Sequence, residues 1–192
     1  ISMPGGTASS QGVFVANGDI KNDLGFEEGV IFTTMSTAAS ANNGRGGNWS
    51  SPNNSTVYDS DIQKIVNRIA QGSNIDLNDV IVLEFDFVPT KSYMEFKYAF
   101  ASEEFGKYND PNDSDFECTG FNDAFGFFLS GPGIDGGNEF SRNAINLAVL
   151  PGTDVPVCVN SINNGVNAGS VNNCINLNPS WTSGTPSPYF NT

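Results

Sequence analysis

Two oxygen-rich clusters stand at the ends of strongly apolar runs in this 192-residue chain. The first is Ala101-Ser102-Glu103-Glu104-Phe105; the second is Asn122-Asp123, which opens the run FNDAFGFFLSGPG from Phe121 to Gly133. Between them lie Asn109, Asp110, Asn112, Asp113, Asp115 and Glu117. Carboxylate and amide oxygens are the ligands that hard divalent cations take. A carboxylate at the mouth of an apolar strand needs a partner, and the chain offers 8 basic residues against 21 acidic ones. The expected chemistry is a shared Ca2+, with Glu103, Glu104, Asn122, Asp123, Asp110, Asp113 and Asp115 as candidate ligands. The loop is not an EF-hand, because Asp115 stands where the sixth-position glycine is needed. A solvated turn of Asp, Asn and Pro is the plainer account of the same loop. Neighbours along a strand point to opposite faces, so one side chain of each pair should matter most.

Histidine is absent, which removes the commonest general base, the Ser-His and Cys-His pairs, and the commonest zinc ligand. Two carboxylates could still run a glycoside hydrolase, but adjacent acids on a strand diverge and nothing marks a second carboxylate across a cleft. The formal charge of −13 argues against nucleic acid, whose phosphates need a basic face. It argues equally against an anionic membrane surface, and no stretch is long and apolar enough to insert in a bilayer. Cys118, Cys158 and Cys174 suit an oxidising compartment with one disulfide and one thiol left over. Cys158 with Cys174 closes the shorter loop and is the leading pairing, with Cys118 to Cys174 close behind. Trp49 and Trp181 lie in Asn/Ser/Gly-rich segments. Exposed there, they would stack on sugar rings; folded back, they would only cover the core.

These residues need a scaffold. Residues 1–12 read as a loose arm, and residues 36–56 and 163–180 as loops. Val13-Phe14-Val15 and Gly29-Val30-Ile31-Phe32-Thr33-Thr34 read as strands. One helix is expected at about 60–71: Ser60 and Gln63 have capping-box spacing, Ile62, Ile65, Val66, Ile69 and Ala70 share a face, and Gly72 closes it. Period-two alternation follows over residues 80–88 and 93–101: Ile81, Leu83, Phe85 and Phe87 share one face, as do Met94, Phe96, Tyr98 and Phe100, and the two strands are expected to form an antiparallel pair with an aromatic core face. Further strands are expected over 124–130, 144–150 and 155–162. Short strands separated by Gly/Pro turns predict one all-β domain over 1–192, a β-sandwich or jelly roll with one short covering helix. The polar start at Ile1 and the Pro/Ser-rich end predict a piece of a longer exported protein.

Taken in order, several segments resemble the choice-of-anchor L domain of bacterial surface and secreted proteins. They are GVIFTT from Gly29, DVIVLEFDFVP from Asp79, FKYAFASEEF from Phe96, FNDAFGFFLSGPG from Phe121, NLAVLPGT from Asn146 and PVCVNSIN from Pro156. The SEEF and FNDAFGFFLSGPG blocks are the specific parts. Cys158 stands where the family pattern has a small or β-branched residue. The resemblance implies a domain of large exported proteins held at the envelope by varied C-terminal anchors, without established catalytic residues. The resulting expectation is a secreted or cell-surface module, non-catalytic and calcium-stabilised, that adheres to a glycan or surface protein. The alternatives are a structural subunit of an extracellular filament or layer, which pairs with copies of itself, and a carboxylate-based hydrolase.

Overall fold

The computed structural model describes residues 10–16, 21–22, 25, 27–34, 57–70, 75–102, 104–105, 116–163, 170–179, 181 and 187–189. Trp49, Gly72, Glu103, Asp110, Asp113 and Asp115 lie outside them, as do most of the arm and the 36–56 loop. The described chain is mainly non-helical, with short strands in small antiparallel sheets. It falls into two compact units, Ile1–Asp59 with Asp76–Ala99, and Ser60–Ile75 with Phe100–Thr192.

In the first unit, β1 (Gln11–Val15) pairs with β2 (Glu28–Phe32) in antiparallel register, Val13 opposite Val30. Gly29 admits the Phe14 ring, whose Cε1 lies 3.0 Å from where a Cβ would stand. The opposite face of this ribbon is open: Val13 is 84% and Val15 78% exposed. The alternating segments 80–88 and 93–101 depart from expectation. Among the described residues they carry no assigned strand, and Glu84 forms a single bridge. Phe85 does meet Phe96 and Phe87, with ring centroids at 6.3 and 6.0 Å. Yet Phe85, Phe87, Met94, Phe96 and Tyr98 of the expected core face are exposed, Ile81, Leu83 and Phe100 are half-buried, and the fully buried residue here is Val80 from the other face. Period two sets which side chains share a face; what covers that face is a tertiary matter.

The second unit holds the core. Helix α1 (Ser60–Ile69) buries Ile65 and Ile69 against Phe140, Ala144, Cys158 and Leu177. Each such large apolar side chain contributes about 1.5–3 kcal/mol of apolar burial. Ile62 comes close to Gly126, where a Cβ would stand 2.9 Å from Ile62 Cδ1, so the missing side chain lets the helix approach. Gln63 uses its amide N–H groups on Asn67 and on the Ile75 carbonyl. Strand β3 (Phe128–Leu129) pairs with β4 (Ile145–Asn146). Bridges at Ala124–Cys158 and Val149–Pro156 bring the 155–159 segment alongside both. Backbone bonds from Leu147 to Phe127, Val157 to Ala148 and Phe125 to Val157 tie the three segments together. Of the strands expected here, 124–130 and 144–150 carry short ladders and 155–158 forms isolated bridges, whereas 159–162 is a turn closed by bonds from the Ser161 and Ile162 N–H groups to the Cys158 carbonyl. A second helix, α2 (Val171–Ile175), stands where sequence patterning gave loop.

The disulfide corrects the leading expectation. Cys118 bonds to Cys174 across a separation of 56 residues, and Cys158 is a free, fully buried thiol. Loop length alone favoured the nearer cysteine, but Cys158 sits in the extended segment opposite Ala124 and faces the α1 core.

Candidate carboxylate site

Ser102, Glu104 and Asp123 meet in the second unit. The Ser102 hydroxyl lies 2.8 Å from Asp123 Oδ2 and also contacts Glu104 Oε2. Ser102 Oγ accepts from the Glu104 backbone N–H at 3.2 Å, an ST-turn that points the glutamate back towards the serine. The Asp123 carboxyl is half-buried, and its pKa is raised to about 6. Burial is the main cause, followed by the hydrogen bond and the negative charge of Glu104; Ser102 pulls the other way. Asp123 therefore keeps its proton up to about pH 6, where exposed carboxylates are ionised.

Of the seven candidate ligands, the structure brings together Glu104 and Asp123. Asn122 is engaged elsewhere. Its Oδ1 accepts from the Asn160 backbone N–H at 3.1 Å, and its amide lies 3.7 Å from the Cys158 sulfur. Asn122 and Asp123 thus serve separate partners, as alternation along an extended segment requires. Glu103, Asp110, Asp113 and Asp115 fall outside the described residues. Among the described residues, no group of three or more His, Cys, Asp or Glu side chains is placed to hold a metal ion.

The site's support was not visible in the sequence. Asn160, 3% exposed, receives the Cys118 N–H on Oδ1 at 2.7 Å and donates from Nδ2 to the Thr119 carbonyl at 3.0 Å. Cys118 itself has φ +59°, a conformation that costs a non-glycine residue about 1–2 kcal/mol. The disulfide, Asn160 and the bond from Asn173 to the Cys118 carbonyl hold it there. Glu117, beside it, is fully buried. Trp181 packs on the same disulfide and is 5% exposed, so it is a core residue and not the sugar-stacking platform its loop suggested. Burial pushes the Cys158 thiol above its ordinary pKa, which leaves it unreactive.

Among the described residues, no helix is long and apolar enough to cross a membrane. No curated protein and no solved structure matches the chain. The family profile, however, covers the SEEF and FNDAFGFFLSGPG segments that build this site and nearly everything around them: over residues 1–190, the chain belongs to the Choice-of-anchor L domain family.

Proposed function

We propose that this domain is a non-catalytic, extracellular binding module of a bacterial surface protein, of β-sandwich type, in which Ca2+ completes the Glu104–Asp123 site. Family membership supports the surface-associated role. The observation that carries the cation is the meeting of Glu104 and Asp123 on one serine hydroxyl, with Asp123 raised to about 6. Two like charges held together in a partly buried place are stabilised by taking up a proton or a cation. At neutral pH a divalent ion with oxygen preference is the better partner, and the acidic residues of the 103–115 segment would supply further ligands. The two carboxyl groups contact the same serine hydroxyl, which leaves no room between them for the scissile bond that a glycosidase's carboxyl pair flanks. This supports binding over hydrolysis. The ligand class is a glycan or a surface protein.

The test is thermal unfolding in calcium and in chelator, with elemental analysis of the purified protein. A site specific to the native state stabilises by about 2.7 kcal/mol at a hundred times Kd. A melting point indifferent to both calcium and chelator, with no co-purifying metal, sinks the cation reading. A second reading, assembly into an extracellular filament, is favoured by the open apolar face of the β1–β2 ribbon, where Val13, Val15 and Val30 lie together. Electron microscopy of concentrated protein showing only dispersed particles would count against it.

A further inference from the structure

The second unit contains a cleft of about 210 Å³ beside α1, away from the Ser102 cluster in its lining residues. The half-buried Ile145 and Val149 line it with apolar surface, and the exposed Arg68, Glu139 and Asp154 line it with charge. We propose that this cleft binds one pyranose ring at the end of a glycan. The proposal rests on the reading of the domain as a binding module and is independent of the cation.

Size comes first. Pockets for drug-sized ligands run from about 300 to 1,000 Å³, so this cleft takes a single ring and not a longer chain. Its charged rim is exposed, which leaves room for the rest of a glycan to continue into solvent. Chemistry comes next. Arg68 Nη2 lies 2.5 Å from Asp154 Oδ2, and the guanidinium holds the Asp154 carboxyl below its ordinary pKa. The cleft therefore presents one neutral ion pair plus the carboxylate of Glu139. A guanidinium and a carboxylate side by side offer donors and acceptors at adjacent positions. Neighbouring ring hydroxyls, each both donor and acceptor, match that arrangement. The C–H face of the ring would lie on Ile145 and Val149. A free amino acid fits less well, because its carboxylate would have to displace Asp154 from Arg68.

The cleft wall is also set in advance, which reduces the ordering cost of binding. Asp135 Oδ1 accepts from the Gly137 backbone and the Asn143 amide, at 3.1 and 3.0 Å. Asn143 Oδ1 accepts from the Asn138 backbone at 2.8 Å. Gly136 lies so close to the Ala144 carbonyl that a Cβ would stand 1.8 Å from its oxygen. These bonds fix the turn that carries Glu139 and Phe140.

The experiment is amide-shift titration of the isotope-labelled domain with the methyl pyranosides of glucose, galactose, mannose and N-acetylglucosamine. Leucine serves as the comparison ligand, and each titration is run in calcium and in chelator. At least one pyranoside should give saturable shifts centred on Arg68, Glu139, Phe140 and Asp154, with millimolar affinity. Glu139→Gln and Arg68→Gln should each weaken it about tenfold or more, while Glu139→Gln leaves the melting point unchanged. Absence of any saturable sugar shift, a response to leucine alone, or full affinity in Glu139→Gln overturns the proposal. Sugar binding without a calcium effect on melting would retire the cation reading and leave the cleft standing. Calcium stabilisation without sugar shifts would do the reverse.

Discussion

Replacing Asp123 with asparagine separates what the carboxylate pair costs from what it does. Asp123 rises from 3.8 to about 6 in the folded chain, through burial first and Glu104 second. A difference of about two units corresponds to roughly 3 kcal/mol. The folded pKa is the higher one, so the native state holds the proton more tightly than the unfolded chain. Below about pH 4 both states are protonated and there is no penalty. Stability then falls as pH rises from about 4 to 6, and above about 6 the full penalty stands. An amide keeps an acceptor for Ser102 and adds a donor for Glu104, with no charge to desolvate. In chelator at pH 7, Asp123→Asn should therefore be more stable than the parent by about 2–3 kcal/mol. For a chain of this size that is a rise of about 4–12 °C in melting temperature. The gap should close by pH 4. In calcium at pH 7 the parent should gain and the variant should not. Differential scanning calorimetry across pH 4–7, with and without calcium, reads all three outcomes. A variant that melts below the parent in chelator at pH 7, or a gap that persists at pH 4, would refute the reasoning.

Loss of the disulfide in Cys118→Ser should cost about 4 kcal/mol for a closed loop of this length, measured by urea unfolding. Ile65, 1% exposed at the centre of the α1 contact, should lose about 2–5 kcal/mol on truncation to alanine in the same assay. Cys158 should resist an aromatic disulfide reagent in the native protein at pH 8 and react once in denaturant, because burial both encloses the thiol and raises its pKa. Prompt labelling of the native protein would show that the segment around it opens readily.

What the sequence made legible was local. The apolar stripe of 60–71 is the observed helix Ser60–Ile69, two residues shorter, and its stripe residues Ile65 and Ile69 are buried. Val13-Phe14-Val15 and the strand from Gly29 lie in β1 and β2. The apolar-acidic boundary did single out Glu104 and Asp123. What it could not show depended on which residues meet across long separations. The disulfide choice turned on where Cys158 faces, which loop length does not encode. Trp181 could be an exposed loop aromatic or a cover for the core, and only the disulfide beside it decides for the core. Ser102 and Asn160 look like ordinary polar residues, since nothing in their neighbours announces a carboxylate 21 positions away or a backbone N–H 42 positions away. The alternation over 80–101 was real, but alternation names two faces without saying which is covered.

The placement of Asn160 explains why the carboxylate pair cannot relax by moving apart. The Glu104 carbonyl accepts from the Phe116 N–H at 3.0 Å, at the start of the turn that carries Cys118. The Asp123 carbonyl accepts from the Val159 N–H at 3.3 Å, one residue before Asn160. Asn160 joins these two anchor points through Cys118 and Thr119, and Asn122, next to Asp123, holds Asn160 in turn. The disulfide then fixes Cys118 to α2. Both acids are thus tied by their backbones to one braced turn. Their mutual repulsion cannot be relieved by a small shift of either segment, as it would be between acids on independent loops. A proton or a neutral side chain at Asp123 would relieve it. Strain such as the positive φ of Cys118 persists where the surroundings over-determine it, and here the disulfide, Asn160 and Asn173 do so.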